Sequence, residues 1–155
     1  MGYLLLALTI IIGLFAEGAG TWVRANAPSL NAPPAYAVQP WLAYKSAVQV
    51  YVEQHPGVSG SLDLDTLGLQ GQTAALAQAG NSIIATPGQT TVVTWMAMPA
   101  NAQADTLSLS DGDHSIGLSN GTSWTSPWFG DMGALPLMVP AGDIVSVVIL
   151  SGTGF

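Results

Sequence analysis

The dipeptide Pro56-Gly57 divides this chain into two kinds of hydrophobic pattern, and that division constrains the fold more than any other feature. Upstream, Trp41, Tyr44, Val48, Tyr51, Val52 and His55 fall at i, i+3, i+7, i+10, i+11 and i+14, which is one face of a helix. Pro40 suits the first turn of that helix, where its missing N–H is not needed. Pro56-Gly57 must end it. Trp41, Tyr44, Val48 and Tyr51 are therefore expected to be structural residues of the helix, with Lys45, Gln49 and Glu53 on the wet side. His55 falls in the last turn, where an imidazolium meets the negative helix end, so a capping role is expected.

Downstream the period drops to two. Leu62 and Leu64 alternate with Ser61, Asp63 and Asp65, the pattern of a short strand or extended edge. Ile83-Ile84 begins another, and Gln89–Met96 (QTTVVTWM) is β-branched and aromatic. Asp111-Gly112 and Asn120-Gly121 supply the positive φ that tight hairpins need. Around them Leu107, Leu109, Ile116 and Leu118 alternate with polar residues, so Thr106–Ser110 reads as a strand leading into the first turn. Asp143–Leu150 (DIVSVVIL) is the most apolar strand and is expected at the sheet centre. The sum is α+β: one helix packed on an antiparallel sheet of about five strands.

Ahead of this domain stands Met1–Ala16 (MGYLLLALTIIIGLFA), which carries no charged side chain. Extended through Trp22 as a helix, it reaches about 33 Å, enough for a hydrocarbon core of about 30 Å. A cleaved leader needs a basic start, and here only the chain amine is available. A buried core helix would be unusually uniform. The expected division is therefore 1–22 membrane anchor, 23–39 Pro-rich tether and 40–155 globular domain. The anchor's apolar side chains are Tyr3, Leu4, Leu5, Leu6, Leu8, Ile10, Ile11, Ile12, Leu14 and Phe15. Pro28, Pro33, Pro34 and Pro40 make the tether semi-extended.

Composition excludes several functions. Of 155 residues only two are basic, Arg24 and Lys45, against nine acidic ones. Two cations cannot neutralise a phosphate backbone, so no nucleic-acid partner is expected. The absence of cysteine removes thiolate chemistry and thiolate metal sites. Asp111, Asp113 and His114 form the one dense polar cluster, but carboxylates at a hairpin tip are ordinary turn chemistry. No nucleophile elbow or phosphate loop is present. Asp63, Asp65, Asp131 and Asp143 are carboxylates that nothing orients. No catalytic residue, metal or cofactor is expected.

One stretch resists both periods. Trp124, Trp128, Phe129 and Met132 lie in the Gly/Pro-broken run SWTSPWFGDMGALPLMVP. Two readings stand side by side: a long loop folding back over the sheet, or a partner-binding surface or ligand groove, since loop aromatics are enriched at interfaces.

Ala43, Tyr44, Lys45, Ala47, Val48 and Tyr51, followed by His55, Pro56 and Gly60, resemble the A-Y-[KR]-x-A-V-x-x-Y helix and His-Pro ending of the PilM family of plasmid thin-pilus and type IVb pilus systems. This is not the actin-like cytoplasmic family of the same name. The Met-Gly-Tyr-Leu-Leu start is similar too. Ser46 stands where Asn is usual, and Gln70-Gly71 replaces a Pro-x-Gly-like turn. The resemblance covers the first half of the chain. It implies a non-catalytic, single-pass inner-membrane protein whose C-terminal domain lies in the periplasm. It also implies partners among pilus-assembly proteins in conjugation or type IV pilus biogenesis, with self-association open. A pilin-like subunit is the nearest alternative, but a pilin's basic cleaved leader is missing. From another class, a secreted carbohydrate-binding module would use the aromatic run with Asp111, Asp113 and Asp131.

Overall fold

The computed structural model describes residues 35–110, 112–152 and 155. The anchor expected at 1–22 and residues 23–34 of the expected tether lie outside the described residues, while residues 35–39, also expected in the tether, are helical. Among the described residues, no helix is long and apolar enough to cross a membrane.

The first helix, α1, runs Ala35–Gln54, five residues longer at its start than expected, with Pro40 inside it rather than at its head. Pro40 removes one backbone donor there. The burial of Val38 and Trp41 on either side of it holds the turn in place. The helix lies across one face of the sheet, and Trp41, Tyr44, Val48 and Val52 are all buried, as expected. Tyr51 is half-buried at the margin. Lys45 departs from expectation: it is buried. Trp41, Lys45, Val48 and Val52 stand at i, i+4, i+7 and i+11, so geometry had placed Lys45 on the core side all along.

After α1 the expected strand at 61–65 does not form. Gly60 makes a single antiparallel bridge to Ile83. The chain then turns, because the Asp63 carboxylate accepts the Thr66 N–H at 2.7 Å. Leu62, Leu64, Leu67 and Leu69 still pack against the core from this irregular segment. A short 3-10 turn at Gln70–Gln72 leads toward the sheet.

Six strands follow: β1 (Ala79–Thr86), β2 (Gln89–Met96), β3 (Ile116–Ser119), β4 (Ser123–Ser126), β5 (Gly130–Ala134) and β6 (Ile144–Ser151). They pair antiparallel throughout in the order β1-β2-β6-β3-β4-β5. The most apolar strand, β6, is central, paired with β2 on one side and β3 on the other. The outer edge of β1 is closed by a side chain. Asn81 Oδ1 accepts the Leu62 N–H at 2.8 Å, and its Nδ2 donates to Leu62 O at 2.7 Å and to the Tyr44 hydroxyl at 2.6 Å. Asn81 thus does for Leu62 what a further strand would do. Burial raises the Tyr44 phenol above its ordinary value, with the Asn81 hydrogen bond opposing.

A second helix, α2 (Ala100–Leu109), replaces the strand expected at Thr106–Ser110. Three alanines in ANAQAD favour helix, and Pro99 precedes the first turn. Buried Ala102 and Thr106, one turn apart, face inward, and Thr106 Oγ1 donates to Ala102 O at 2.7 Å. Leu107 and Leu109 therefore alternate in sequence but not across a strand. Leu107 packs on the core and Leu109 is exposed. Gln103 fastens the helix by donating to Met98 O at 2.9 Å and to Gly142 O at 2.7 Å.

The sheet has two covered faces. Val92, Met96, Ile83, Ile116 and Ile144 meet α1. On the other face Val93, Trp124 and Val145 are covered by Leu135 and Val139 from the chain after β5. Three hydrogen bonds seat that cover: Leu135 N to Thr122 O, Val139 N to Gly121 O, and Ser119 Oγ to Val139 O.

Candidate interaction surface

The aromatic run of the sequence is split by the fold into two parts with different environments. Trp124 sits in β4 with its ring on the second core, only 5% exposed. It is a packing residue and belongs to no free surface. Ser126 closes β4, and Pro127, Trp128 and Phe129 form the turn into β5. There Trp128 is 46% exposed, Phe129 56% and Met132 37%. Leu135–Val139 folds back over the sheet, as the loop reading has it, whereas Trp128, Phe129 and Met132 are exposed at the hairpin.

Local chemistry holds the hairpin in shape. The Ser126 hydroxyl accepts the Trp128 N–H at 3.3 Å. Gly130 and Gly133 take φ of +72° and +87°, which side-chain-bearing residues resist. The register slips between Ser123 and Thr125, and the Asp131 carboxylate accepts the Gly133 N–H at 2.9 Å. Such a bulge twists the edge strand. β5 is wholly exposed and lies at the sheet edge. The His114 ring meets Phe129 edge-on, centroids 4.5 Å apart, steadying one side of the tip.

The polar cluster read at 111–114 is put to structural use. Asp111 lies outside the described residues. Asp113 makes a 2.6 Å ion pair with Lys45 and accepts both the Ser115 N–H (2.9 Å) and Ser115 hydroxyl (2.7 Å). Ser115 Oγ in turn lies 3.0 Å from Ser146 Oγ of β6. Burial opposes ionisation of Asp113, but the Lys45 and Ser115 hydrogen bonds outweigh it and hold the carboxyl below its ordinary value. The network ties α1 to the entry of β3 and to the central strand. The two partners are far apart in sequence and differ in expected environment, so no sequence spacing could have paired them.

The remaining carboxylates do not converge. Asp63 caps the Thr66 turn, and the Thr66 side chain first and its backbone N–H second hold the carboxyl below its ordinary value. Burial raises Asp143, which precedes β6. Among the described residues, no group of His, Asp and Glu is placed to hold a metal ion. His55 stacks on Tyr51 with centroids 4.1 Å apart, and its Nδ1 lies 2.9 Å from Tyr51 O, inside the last helical turn.

Among the described residues, two helices and a six-stranded antiparallel sheet whose edge hairpin exposes Trp128, Phe129 and Met132 define a small α+β domain. A family model described as PilM matches residues 8–147, and the chain belongs to the PilM family, whose members are pilus-related proteins. The crystal structure of a PilM protein from Escherichia coli B7A is similar in fold, with a TM-score of 0.55 at 19% identity. That similarity covers 79% of this chain and 99% of the other. No curated protein matches.

Proposed function

We propose that this chain is a non-catalytic assembly component of a type IVb or conjugative thin-pilus machine. In this reading residues 1–22 anchor it in the inner membrane, and the α+β domain stands in the periplasm. The tip of the β4–β5 hairpin docks other pilus-biogenesis proteins. One observation carries the docking role: Trp128, Phe129 and Met132 are three large apolar side chains left exposed on one rigid hairpin. Aromatic anchors of this kind dominate binding energy, because they bring large area at low entropic cost. The uncharged start supports the anchor, and membership of the pilus-related family supports the setting.

The test is a full-length Trp128→Ala/Phe129→Ala variant expressed in place of the native protein. The melting temperature should stay within about 2 °C of the parent, since exposed truncations move stability by less than about 0.5 kcal/mol. Pilus assembly should fall sharply. Normal assembly would refute the docking role, and an intact chain that stays soluble on membrane fractionation would refute the anchor.

A further inference from the structure

A second surface lies on the opposite element of the domain, along the outer side of α1. Ala47, Val50, Tyr51 and Gln54 form one wall of a groove, and Thr66 and Leu67 form the other. Its volume is about 240 Å³. That is room for one or two large side chains, not for a long helix, because Ala47 to Gln54 spans only about 10 Å of helix. Val50 is 48% exposed at its centre.

The surroundings of the groove have one sign of charge. Glu53 stands one turn beyond Val50 on α1, so the two are surface neighbours. Asp65 immediately precedes Thr66, and Asp63 accepts the Thr66 N–H. All three residues are exposed. His55, just past the end of α1, stacks on Tyr51. Of the two basic residues in the sequence, Lys45 is buried against Asp113, and Arg24 lies outside the described residues.

We propose that this groove receives a partner-protein segment carrying one or two large apolar side chains flanked by Lys or Arg. Val50, Tyr51 and Leu67 supply apolar area, Gln54 and Thr66 add polar lining, and the three carboxylates nearby select positive flanks and raise the association rate. A second copy of the chain fits poorly as occupant, because the domain offers acid to acid there. An anionic lipid surface is repelled for the same reason. The surface is distinct from the β4–β5 hairpin, so it can hold a second partner while the first remains docked.

The experiment is an amide NMR titration of the full-length chain with three synthetic peptides. One carries Phe-Leu flanked by lysines, the second Ser-Ser with the same lysines, and the third Phe-Leu flanked by glutamates. The Phe-Leu lysine peptide should bind at least about tenfold more tightly than either control. Its shifts should fall on residues 47–54 and 63–68. Val50→Arg should weaken it by about tenfold or more, and Glu53→Gln/Asp65→Asn by a similar factor that shrinks as salt rises. Both variants alter exposed side chains, so an unchanged melting temperature separates lost binding from lost folding. Equal binding of the lysine peptides would overturn the proposal, as would shifts centred on the β4–β5 hairpin or a Val50→Arg variant that binds like the parent. Failure of the hairpin variant in pilus assembly would leave this result untouched, because the two surfaces are read separately.

Discussion

Truncating Asp113 is expected to destabilise the protein more than removing the charge of Lys45, although the two residues share one contact. The Lys45 side chain is 9% exposed and that of Asp113 33%. Asp113→Ala leaves an ammonium among α1 core residues with its only counter-ion gone, and it also removes the acceptor of two Ser115 hydrogen bonds. Breaking a fully buried pair from one side costs about 3–5 kcal/mol. The partial exposure of Asp113 places the loss at the low end, about 3 kcal/mol. Lys45→Met keeps the apolar stem and leaves a carboxylate that retains Ser115 and some water, so about 1 kcal/mol is expected. The double variant should be more stable than Asp113→Ala alone, because no unpaired charge remains buried. Urea unfolding of the full-length chain at pH 7, followed by fluorescence, reads all three. With a slope of about 1–3 kcal/mol per M, the Asp113→Ala midpoint should fall by about 1 M or more. Equal losses for the two single variants, or a double variant worse than Asp113→Ala, would refute the reasoning.

The other expectations concern the sheet and pH. Trp124→Ala should cost about 3–5 kcal/mol by emptying the second core, whereas Trp128→Ala should stay within about 0.5 kcal/mol, and paired thermal melts decide between them. Gly117→Ala should damage folding more than Gly80→Ala, as measured by soluble yield and melting temperature. A Cβ at Gly117 would meet the backbone of Thr125, whereas one at Gly80 would meet the side chain of Trp95, 2.5 Å away. Because the Asp113 carboxyl titrates below its ordinary value when folded, its contribution is present above the unfolded value of about 3.9 and is lost as pH falls through the lower folded value. The parent should therefore lose more stability than Lys45→Met between about pH 4 and pH 2, and parallel acid-unfolding curves would contradict this.

The legible parts of the fold are those set by local periodicity over a long run. β2 begins and ends where its β-branched pattern does, and β6 and the burial of Trp41, Tyr44, Val48 and Val52 on α1 follow for the same reason. Short runs failed where two elements share one pattern. Leu107 and Leu109 alternate in α2 as they would in a strand, and the alanines before them carried the decisive helical preference. Leu62 and Leu64 alternate too, but an Asp63 side-chain hydrogen bond competes with strand pairing and turns the chain. β5 was invisible because Gly130 and Gly133 give it no β-forming composition. Its place comes from pairing with β4. Of the candidate surface, Trp128, Phe129 and Met132 were legible as unexplained aromatics, while the burial of Trp124 depended on a cover segment that arrives only in three dimensions.

The scarcity of positive charge acquires a location once the fold is known. Lys45 could have served solubility on the wet side of α1. Instead it is consumed inside the domain, where Asp113 neutralises it and Ser115 and Ser146 extend the network to the central strand. Its removal from the surface leaves Glu53, Asp63, Asp65, Asp105 and Asp131 as the exposed ionic side chains among the described residues, apart from the histidines. A surface with one sign and few charges loses little on desolvation, yet it repels its own copies. The same burial that steadies α1 therefore biases the domain toward partners that bring the missing sign. The two surfaces proposed above, the apolar β4–β5 tip and the acidic groove beside α1, would meet such partners in complementary ways.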